Sequence, residues 1–180
     1  MRIVGGKYRG KKLWAPLGND VRPTSERARE AIFNILFSRT GGDYSNKSAA
    51  DIFCGTGAFG FEALSRGFDN VTFIDIDTVP VNKNAKLFPN EQDKIHIMKA
   101  DATALSGKRR QYDLIFMDAP YAQGMSDKTL VRIMQNDWLK QGGYLITEIR
   151  KDEQLKIPEE LEYIDERVYG LARILFLQKK

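Results

Sequence analysis

Apolar runs and helical patterns alternate along most of the chain. Short apolar runs predict five buried strands, at about residues 49–53, 71–75, 94–98, 113–117 and 143–149. Between them, apolar residues at helical spacing predict helices at about residues 58–66, 79–88, 101–107 and 127–136. This alternation favours right-handed crossovers, so we expect an α/β fold with a parallel sheet covered by helices on both faces.

The end of the chain breaks this alternation. Leu161–Val168 and Leu171–Leu177 are strand-like runs with only Tyr169 and Gly170 between them, which leaves no room for a crossover helix. Strands joined this closely pair antiparallel. The C-terminal part of the chain therefore predicts an antiparallel hairpin at one edge of the sheet.

Two more elements are predicted before the first strand. In residues 1–14, glycines alternate with basic and apolar residues, as in a short hairpin or an extended arm. Apolar residues at helical spacing then predict a helix over Glu26–Phe37, with Thr24 or Ser25 as its N-cap.

Composition limits the classes of protein that remain. A chain of 180 residues with 42% hydrophobic and 29% charged residues has the size and balance of one globular domain. It lacks both a signal-peptide core and an apolar window near the roughly 20 residues of a membrane span, so we expect a cytoplasmic protein. The only cysteine, Cys54, and the only histidine, His96, leave too few ligands for zinc, so we expect no metal. The sequence is silent on oligomeric state, and a monomer is the default expectation.

The net charge of +4 is unevenly distributed. Residues 1–48 hold ten Lys or Arg against four Asp or Glu, a balance of +6, and the remaining residues hold eighteen against twenty, a balance of −2. A basic segment beside a neutral body is typical of proteins that contact nucleic-acid phosphates, although a solvated basic tail gives the same counts. We therefore divide the single domain into a basic arm and helix at residues 1–47 and a catalytic core at residues 48–180.

A glycine-rich turn follows the first predicted strand. The segment Asp51-Ile-Phe-Cys-Gly-Thr-Gly-Ala-Phe-Gly runs from a buried strand into a helix that begins near Ala58. Glycines at 55, 57 and 60 allow a tight turn and a close approach of a ligand to the backbone and to the free N–H groups of the helix. The spacing also fits the dinucleotide fingerprint, so the loop alone leaves an NAD-dependent oxidoreductase as an alternative.

Acidic residues end the next two strands. A carboxylate at the end of Phe73-Ile-Asp-Ile-Asp77 can accept the hydroxyl protons of a ribose. We assign this role to Asp75, while Asp77 is a candidate cap for the next helix. Lys99-Ala-Asp101 ends the third strand, where a carboxylate or a neighbouring backbone group could reach an adenine amine. Helix capping is the structural alternative for each of these acidic residues.

The motif with the most specific chemistry is Asp118-Ala-Pro-Tyr121, directly after the apolar residues 114–117. In a base amine the lone pair is delocalised into the ring, so methylation requires acceptors that favour the pyramidal, nucleophilic nitrogen. The Asp118 carboxylate and the Ala119 carbonyl oxygen are two such acceptors, and Tyr121 can stack on the flat base. An ordinary turn followed by a core tyrosine is the structural alternative.

Together these motifs resemble those of the class I amino-methyltransferases, whose tetrapeptide is usually D/N-P-P-Y/F. The segments Met1-Arg-Ile-Val-Gly-Gly-Lys-Tyr-Arg-Gly and Arg22-Pro-Thr-Ser-Glu-Arg-Ala-Arg-Glu-Ala-Ile-Phe-Asn-Ile-Leu resemble one branch, the bacterial RsmD-type 16S rRNA guanine-N2 methyltransferases. The resemblance covers almost the whole chain and is least specific after about Lys151. It implies a Rossmann-like, mostly parallel seven-stranded sheet, S-adenosylmethionine as methyl donor, and a guanine of 16S ribosomal RNA, naked or in a small-subunit assembly intermediate, as acceptor.

The resemblance also implies roles for the residues that match the family's motifs. Those expected to bind the cofactor are Asp51, Phe53, Gly55, Gly57, Asp75, Ile76, Asp101 and Ala102. Those expected to present the base amine are Asp118, Ala119, Pro120 and Tyr121. Those expected to contact RNA are Arg22, Arg27 and the basic residues around Tyr8, namely Lys7, Arg9, Lys11 and Lys12.

One departure from the usual tetrapeptide is Ala119, which stands in place of the first proline. The carbonyl acceptor is kept, and the added freedom of the unfolded chain costs roughly 0.4 to 1 kcal/mol, so we expect activity to survive. Two other functions stay open. A DNA amino-methyltransferase usually carries a target-recognition region, for which this chain has no room. A non-catalytic RNA-binding assembly factor would have no need of Asp118 and Tyr121.

Overall fold

The computed structural model describes residues 1–16, 26–107, 111–121 and 124–180. The strands in these residues are β1 (Ser48–Ile52), β2 (Asn70–Asp75), β3 (Ile95–Lys99), β4 (Tyr112–Asp118), β5 (Leu139–Arg150), β6 (Leu161–Tyr169) and β7 (Ala172–Lys179). They form one seven-stranded sheet in the order β3-β2-β1-β4-β5-β7-β6. The first five strands pair in parallel, whereas β7 is antiparallel to both β5 and β6. The predicted mostly parallel sheet with a C-terminal antiparallel hairpin is confirmed.

Helices cover both faces of this sheet, as predicted. The α-helices are α1 (Glu26–Thr40), α2 (Ala58–Ser65), α3 (Val79–Ala85) and α4 (Met125–Gln135), and short 3₁₀ helices span Pro89–Lys94 and Ala102–Ala104. Successive residues of β4 point to opposite faces: Phe116 packs in a cluster with residues of α1 and α2, and Ile115 packs in a second cluster with residues of α4. Because the central strands are buried on both faces, most of their residues are apolar, which makes these strands visible in the sequence.

The predicted helix at residues 101–107 is wrong. A single 3₁₀ turn at Ala102–Ala104 occupies this place. The Asp101 carboxylate accepts hydrogen bonds from the backbone N–H of Thr103 at 2.8 Å and from its hydroxyl at 2.7 Å. Gly107 then has a φ of +79°. Side-chain bonds to the local backbone compete with helix continuation, and the left-handed glycine turns the chain away.

The N-terminal segment, residues 1–16, forms the predicted short hairpin, which we call the arm. Arg2 and Lys12 form an antiparallel bridge across it. Ile3 and Leu13 are buried in the same apolar cluster as α1 and α2. The arm is therefore packed on the core through its apolar side chains, and its basic side chains lie around the outside.

The tip of the arm is anchored by Glu91. One carboxylate oxygen of Glu91 accepts hydrogen bonds from the Lys7 ammonium and the Tyr8 hydroxyl, each at 2.6 Å, and the other pairs with Lys94 at 3.1 Å. Burial by itself would raise the pKa of Glu91, but these three contacts outweigh burial and lower its pKa to about 2. Glu91 is therefore ionised at neutral pH and holds the tip of the arm against the core.

The base of the arm is joined to the glycine-rich loop by Asn84, a buried residue of α3. The Asn84 side-chain amide donates to the carbonyl of Trp14 at 3.0 Å and to the carbonyl of Thr56 at 2.8 Å. Its oxygen accepts the backbone N–H of Trp14 at 2.7 Å. Arm and loop thus share one side chain, so neither can shift without straining a hydrogen bond of the other.

Candidate active site

The carboxyl ends of β1, β2 and β4 lie side by side along the same end of the sheet. β1 pairs with β2 on one side and with β4 on the other, so the strand order switches direction at β1. In open α/β sheets, ligands bind in the crevice at such a switch point. Asp51, Asp75 and Asp118 lie at or next to the ends of these three strands. The structure therefore brings the predicted cofactor and catalytic motifs together at one crevice.

The loop between β1 and α2 has a strained backbone. Phe53, Gly55 and Gly57 have φ angles of 59°, 51° and 77°, which a residue with a side chain such as Phe53 rarely adopts. A Cβ at Gly57 would lie 2.7 Å from a core side chain, and a Cβ at Gly60 would lie 2.3 Å from the Phe73 ring. A Cβ at Gly55 would meet no atom within 4 Å. Gly57 and Gly60 thus allow α2 to pack closely, whereas Gly55 faces open space that a ligand could fill.

Asp51 holds the first turn of α2. Its carboxylate is only 2% exposed and accepts the backbone N–H of Gly60 at 2.9 Å. Burial raises the pKa of Asp51 to about 8, with Asp75 adding to the rise and the buried Arg29 opposing it. Burial thus favours the protonated form of Asp51, and a cationic ligand group near the loop would favour its ionised form. Its contact with the methionine end of the cofactor stays a prediction.

The two candidate carboxylates after β2 have different partners. Asp75 accepts the backbone N–H of Gly55 at 2.8 Å with one oxygen and that of Asp77 at 3.0 Å with the other. Asp77 accepts the backbone N–H of Val79 at 3.0 Å, at the first residue of α3. Asp75 therefore faces the glycine-rich loop, while Asp77 contacts the start of α3, whose N-cap residue is Thr78. Ile76, between them, is 67% exposed and open to a ligand.

The end of β3 offers a polar and an apolar group side by side. Asp101 is exposed, and hydrogen bonds from Thr103 lower the pKa of its carboxyl group. Ala102 is buried in the cluster on the α4 face. Asp101 thus caps the short 3₁₀ turn at Ala102–Ala104, as the structural alternative predicted. Its contact with adenine stays a prediction.

The tetrapeptide after β4 is arranged around its tyrosine. Asp118 is the last residue of β4 and is partly buried, Ala119 is buried, and Pro120 is exposed. The hydroxyl of the half-buried Tyr121 donates to a carboxylate oxygen of Glu148 at 2.7 Å. Tyr121 is therefore held at the crevice by a residue of the neighbouring strand.

Glu148 is a residue of this site that the sequence interpretation missed. It lies on β5 directly opposite Asp118 in the parallel register and is 5% exposed. The available signal was a single carboxylate within the mostly apolar run of residues 144–149, because an unpartnered charge is rarely buried.

The predicted RNA contacts fall into two groups. The Lys7 ammonium pairs with Glu91, and the Lys11 ammonium donates to the Leu87 carbonyl at 2.7 Å, so both also hold the arm in place. Arg9, Lys12 and Arg27 are exposed. Arg9 and Arg27 line a groove of about 350 Å³ between the arm and the start of α1. Arg2, Glu26 and Glu30 also line this groove, so the structure brings the arm and the helix together on a surface where basic residues lie beside two carboxylates.

The remaining aromatic and basic candidates have other surroundings. Tyr8, at the centre of the basic segment, donates its hydroxyl to Glu91, and its ring packs edge-on against Phe88, with centroids 5.1 Å apart. Arg29, two residues after Arg27 on α1, is buried and donates to the Arg2 carbonyl at 2.7 Å. It therefore supports the arm from inside. Arg22 lies outside the described residues.

In the part of the chain that the structure describes, no three His, Cys, Asp or Glu side chains are grouped so as to hold a metal ion. Over the same residues, every helix is too short or too polar to cross a membrane.

The fold and the crevice define the class of the protein. A mostly parallel seven-stranded sheet, with its last strands antiparallel and a glycine-rich loop after β1, is the class I methyltransferase fold, to which its structural neighbours belong. The model of the family described as Conserved hypothetical protein 95 matches residues 1–178, and the chain belongs to that family. It is a methyltransferase of the RsmD type.

The relatives match the chain from end to end. "Ribosomal RNA small subunit methyltransferase D" of Haemophilus influenzae is 29% identical over 179 residues, which cover 96% of this chain and 90% of the relative. The protein of the same name from Escherichia coli strain K12 is 28% identical over 183 residues, covering 100% and 90%. The solved structure of the Escherichia coli protein yhhF has a TM-score of 0.87 and 28% identity, covering 100% of this chain and 98% of that one. The similarity includes the arm as well as the sheet.

Proposed function

We propose that the protein transfers a methyl group from S-adenosylmethionine to the exocyclic N2 amine of a guanine in 16S ribosomal RNA. The observation that carries this proposal is the position of Asp118 and Tyr121 at the end of β4, beside the glycine-rich loop of β1. Relatives named ribosomal RNA small subunit methyltransferase D support the choice of substrate. The proposal is tested by transfer of labelled methyl groups to ribosomal RNA.

The residues after β4 prepare the amine for attack. The Asp118 carboxylate and the Ala119 carbonyl accept its two N–H groups, which draws the nitrogen lone pair out of conjugation with the ring. Tyr121 stacks on the base and sets its plane. As the nitrogen gains positive charge, the Asp118 carboxylate stabilises it, because opposite charges attract strongly in a partly buried site. Positioning therefore supplies most of the catalysis.

The residues beside this tetrapeptide support an adenosyl donor. The donor supplies a methyl group that is already activated by the positive charge on its sulfur. Gly55 leaves open space at the loop, and the partly exposed Asp75 is the acceptor for ribose hydroxyls at the end of β2. Asp51 lies beneath the loop, where a cation nearby would draw it into its ionised form. These residues hold the donor, and Asp101 with Ala102 border its adenine.

The arm and the start of α1 form the proposed RNA surface. Arg9, Lys12 and Arg27 are exposed on it, and phosphate contacts of such residues give most of the affinity of a protein for nucleic acid. Among the described residues, none of the three side chains has an internal ion pair. They are therefore available for phosphates in a way that the anchored Lys7 and Lys11 are not.

Replacing Arg9 and Lys12 together by alanine should weaken binding of 16S RNA without unfolding the protein. Each phosphate contact to a single strand contributes about 0.7 to the slope of log Kd against log salt, so the double variant should flatten that slope by about 1.4. Filter binding of 16S RNA at several salt concentrations measures both quantities.

A matched control removes the same charge elsewhere. Lys47 and Lys140 both pair with Asp113, at the edge of the sheet opposite the crevice. Replacing these two by alanine should leave the RNA affinity and its salt dependence near those of the wild type. If both double variants weaken binding equally, the effect reflects net charge and the arm has no special role.

A further inference from the structure

Glu148 is an unusual residue for its position in the sheet. Apart from Thr147, the residues around it in β5, namely Leu145, Ile146 and Ile149, are fully buried and apolar. Glu148 itself is 5% exposed. Burying a carboxylate is costly unless it is hydrogen-bonded, so a residue of this kind in a central strand calls for a specific partner.

The structure supplies that partner at the catalytic tetrapeptide. Glu148 is opposite Asp118 in the parallel register, so the two side chains lie on the same face of adjacent strands. The Tyr121 hydroxyl donates to Glu148 at 2.7 Å, a normal distance for a hydrogen bond between a hydroxyl and an oxygen acceptor. The contact links a loop residue to the rigid centre of the sheet.

This link restricts the ring of Tyr121. A tyrosine in a loop can turn about its side-chain torsions, and fixing a rotamer-rich side chain on binding costs affinity. With its hydroxyl tied to β5, the ring is held in one orientation before any base arrives. A ring that is already oriented loses less entropy when it stacks.

We propose that Glu148 is a positioning residue for the methylated base: it holds Tyr121 in the orientation that stacks on the base and presents the amine to Asp118. This inference rests on the proposed function. Glu148 acts through Tyr121 and needs no contact with the base itself. Its role is to accept the hydrogen bond, so another acceptor of the same shape serves in its place.

Three variants separate this role from a general effect on stability. Glu148→Gln keeps an acceptor oxygen at the same reach, Glu148→Met keeps the shape and removes the acceptor, and Tyr121→Phe removes the donor. We expect Glu148→Met and Tyr121→Phe to lower kcat/KM for unmethylated small-subunit particles about tenfold each, the effect of one hydrogen bond. We expect Glu148→Gln to stay within about threefold of the wild type. The kcat/KM of the double variant Glu148→Met with Tyr121→Phe should be no lower than that of the less active single variant.

A second measurement follows Tyr121 in the protein alone. Fluorine NMR of protein labelled with 3-fluorotyrosine should show a shifted or broadened Tyr121 signal in Glu148→Met and a nearly unchanged one in Glu148→Gln. The Tyr121→Phe variant assigns that signal. The dissociation constant for S-adenosylhomocysteine should stay unchanged in all variants, which a collapse of the sheet would not allow.

The outcomes are distinct. A kcat/KM of Glu148→Met equal to that of the wild type overturns the inference. A kcat/KM of Glu148→Gln as low as that of Glu148→Met also overturns it, because the charge and not the hydrogen bond would then matter. Additive losses in the double variant also overturn it. If the wild-type protein transfers no methyl group to ribosomal RNA, the proposed function fails, and the inference built on it fails with it.

Discussion

Replacing Asp118 by alanine is expected to lower kcat for methyl transfer by about a hundredfold or more, while the dissociation constant for S-adenosylhomocysteine changes little. The variant removes the charged acceptor that favours the nucleophilic form of the amine and stabilises the developing positive charge. Removing one preorganised group of this kind typically costs about 10² to 10³ in rate. Steady-state kinetics with unmethylated small-subunit particles measure kcat, and calorimetry with S-adenosylhomocysteine measures the dissociation constant.

The matched control for this prediction is Asp118→Asn. Asparagine keeps an acceptor oxygen at the same place and loses only the charge, so its kcat should lie between those of the wild type and of Asp118→Ala. An unchanged kcat in Asp118→Ala would remove Asp118 from the mechanism. A large loss of S-adenosylhomocysteine binding would instead assign it to the cofactor site.

Replacing Asp75 by alanine is expected to weaken cofactor binding about 10- to 100-fold, since hydrogen bonds to a charged group are worth about 1.5 to 3 kcal/mol. Two contributions add here. The variant removes the proposed acceptor for the ribose hydroxyls, and it releases the backbone N–H of Gly55 that Asp75 now holds at 2.8 Å. Calorimetry with S-adenosylhomocysteine measures the loss, and NAD titrated in the same way should give no binding.

Asp77→Ala is the control for the choice between the two carboxylates. Asp77 contacts the start of α3, so its removal should cost some thermal stability and leave the cofactor affinity nearly unchanged. If Asp77→Ala weakens binding and Asp75→Ala does not, the ribose acceptor has been assigned to the wrong residue. Binding of NAD in place of S-adenosylhomocysteine would contradict the assigned cofactor.

The architecture of the sheet was largely predictable because its signals are local. Most residues of the central strands are apolar since both faces are buried, and only two residues separate the last two strands. The helix predicted at residues 101–107 failed for an equally local reason, the hydrogen bonds of Asp101 to Thr103. The competition between such side-chain bonds and a helix cannot be decided from apolar spacing alone.

The candidate site was predictable only where it depends on strand ends. Parallel strands bring their carboxyl ends to one edge, so Asp75 and Asp118 could be placed at one crevice from the sequence. Two contacts join residues that are distant in the chain. Glu148 and Tyr121 are 27 positions apart, and Glu91 and Lys7 of the arm are 84 positions apart. No periodic pattern encodes such pairs. The same holds for Arg29, whose burial follows from the docking of the arm above it.

The arm and the glycine-rich loop are connected more closely than their separation in the chain suggests. Asn84 binds Trp14 at the base of the arm and Thr56 in the glycine-rich loop. RNA bound to the arm and the donor held by the loop would therefore meet on one rigid body. This agrees with a reaction in which positioning of two substrates supplies most of the rate.

The measurement that tests the central claim most directly is transfer of tritium from labelled S-adenosylmethionine to unmethylated small-subunit particles and to naked 16S RNA, followed by nucleoside analysis. The proposed function predicts label in N2-methylguanosine, and the preferred substrate would show at which stage of ribosome assembly the protein acts. Absence of label from both substrates, in a protein that binds S-adenosylmethionine tightly, would contradict the ribosomal assignment.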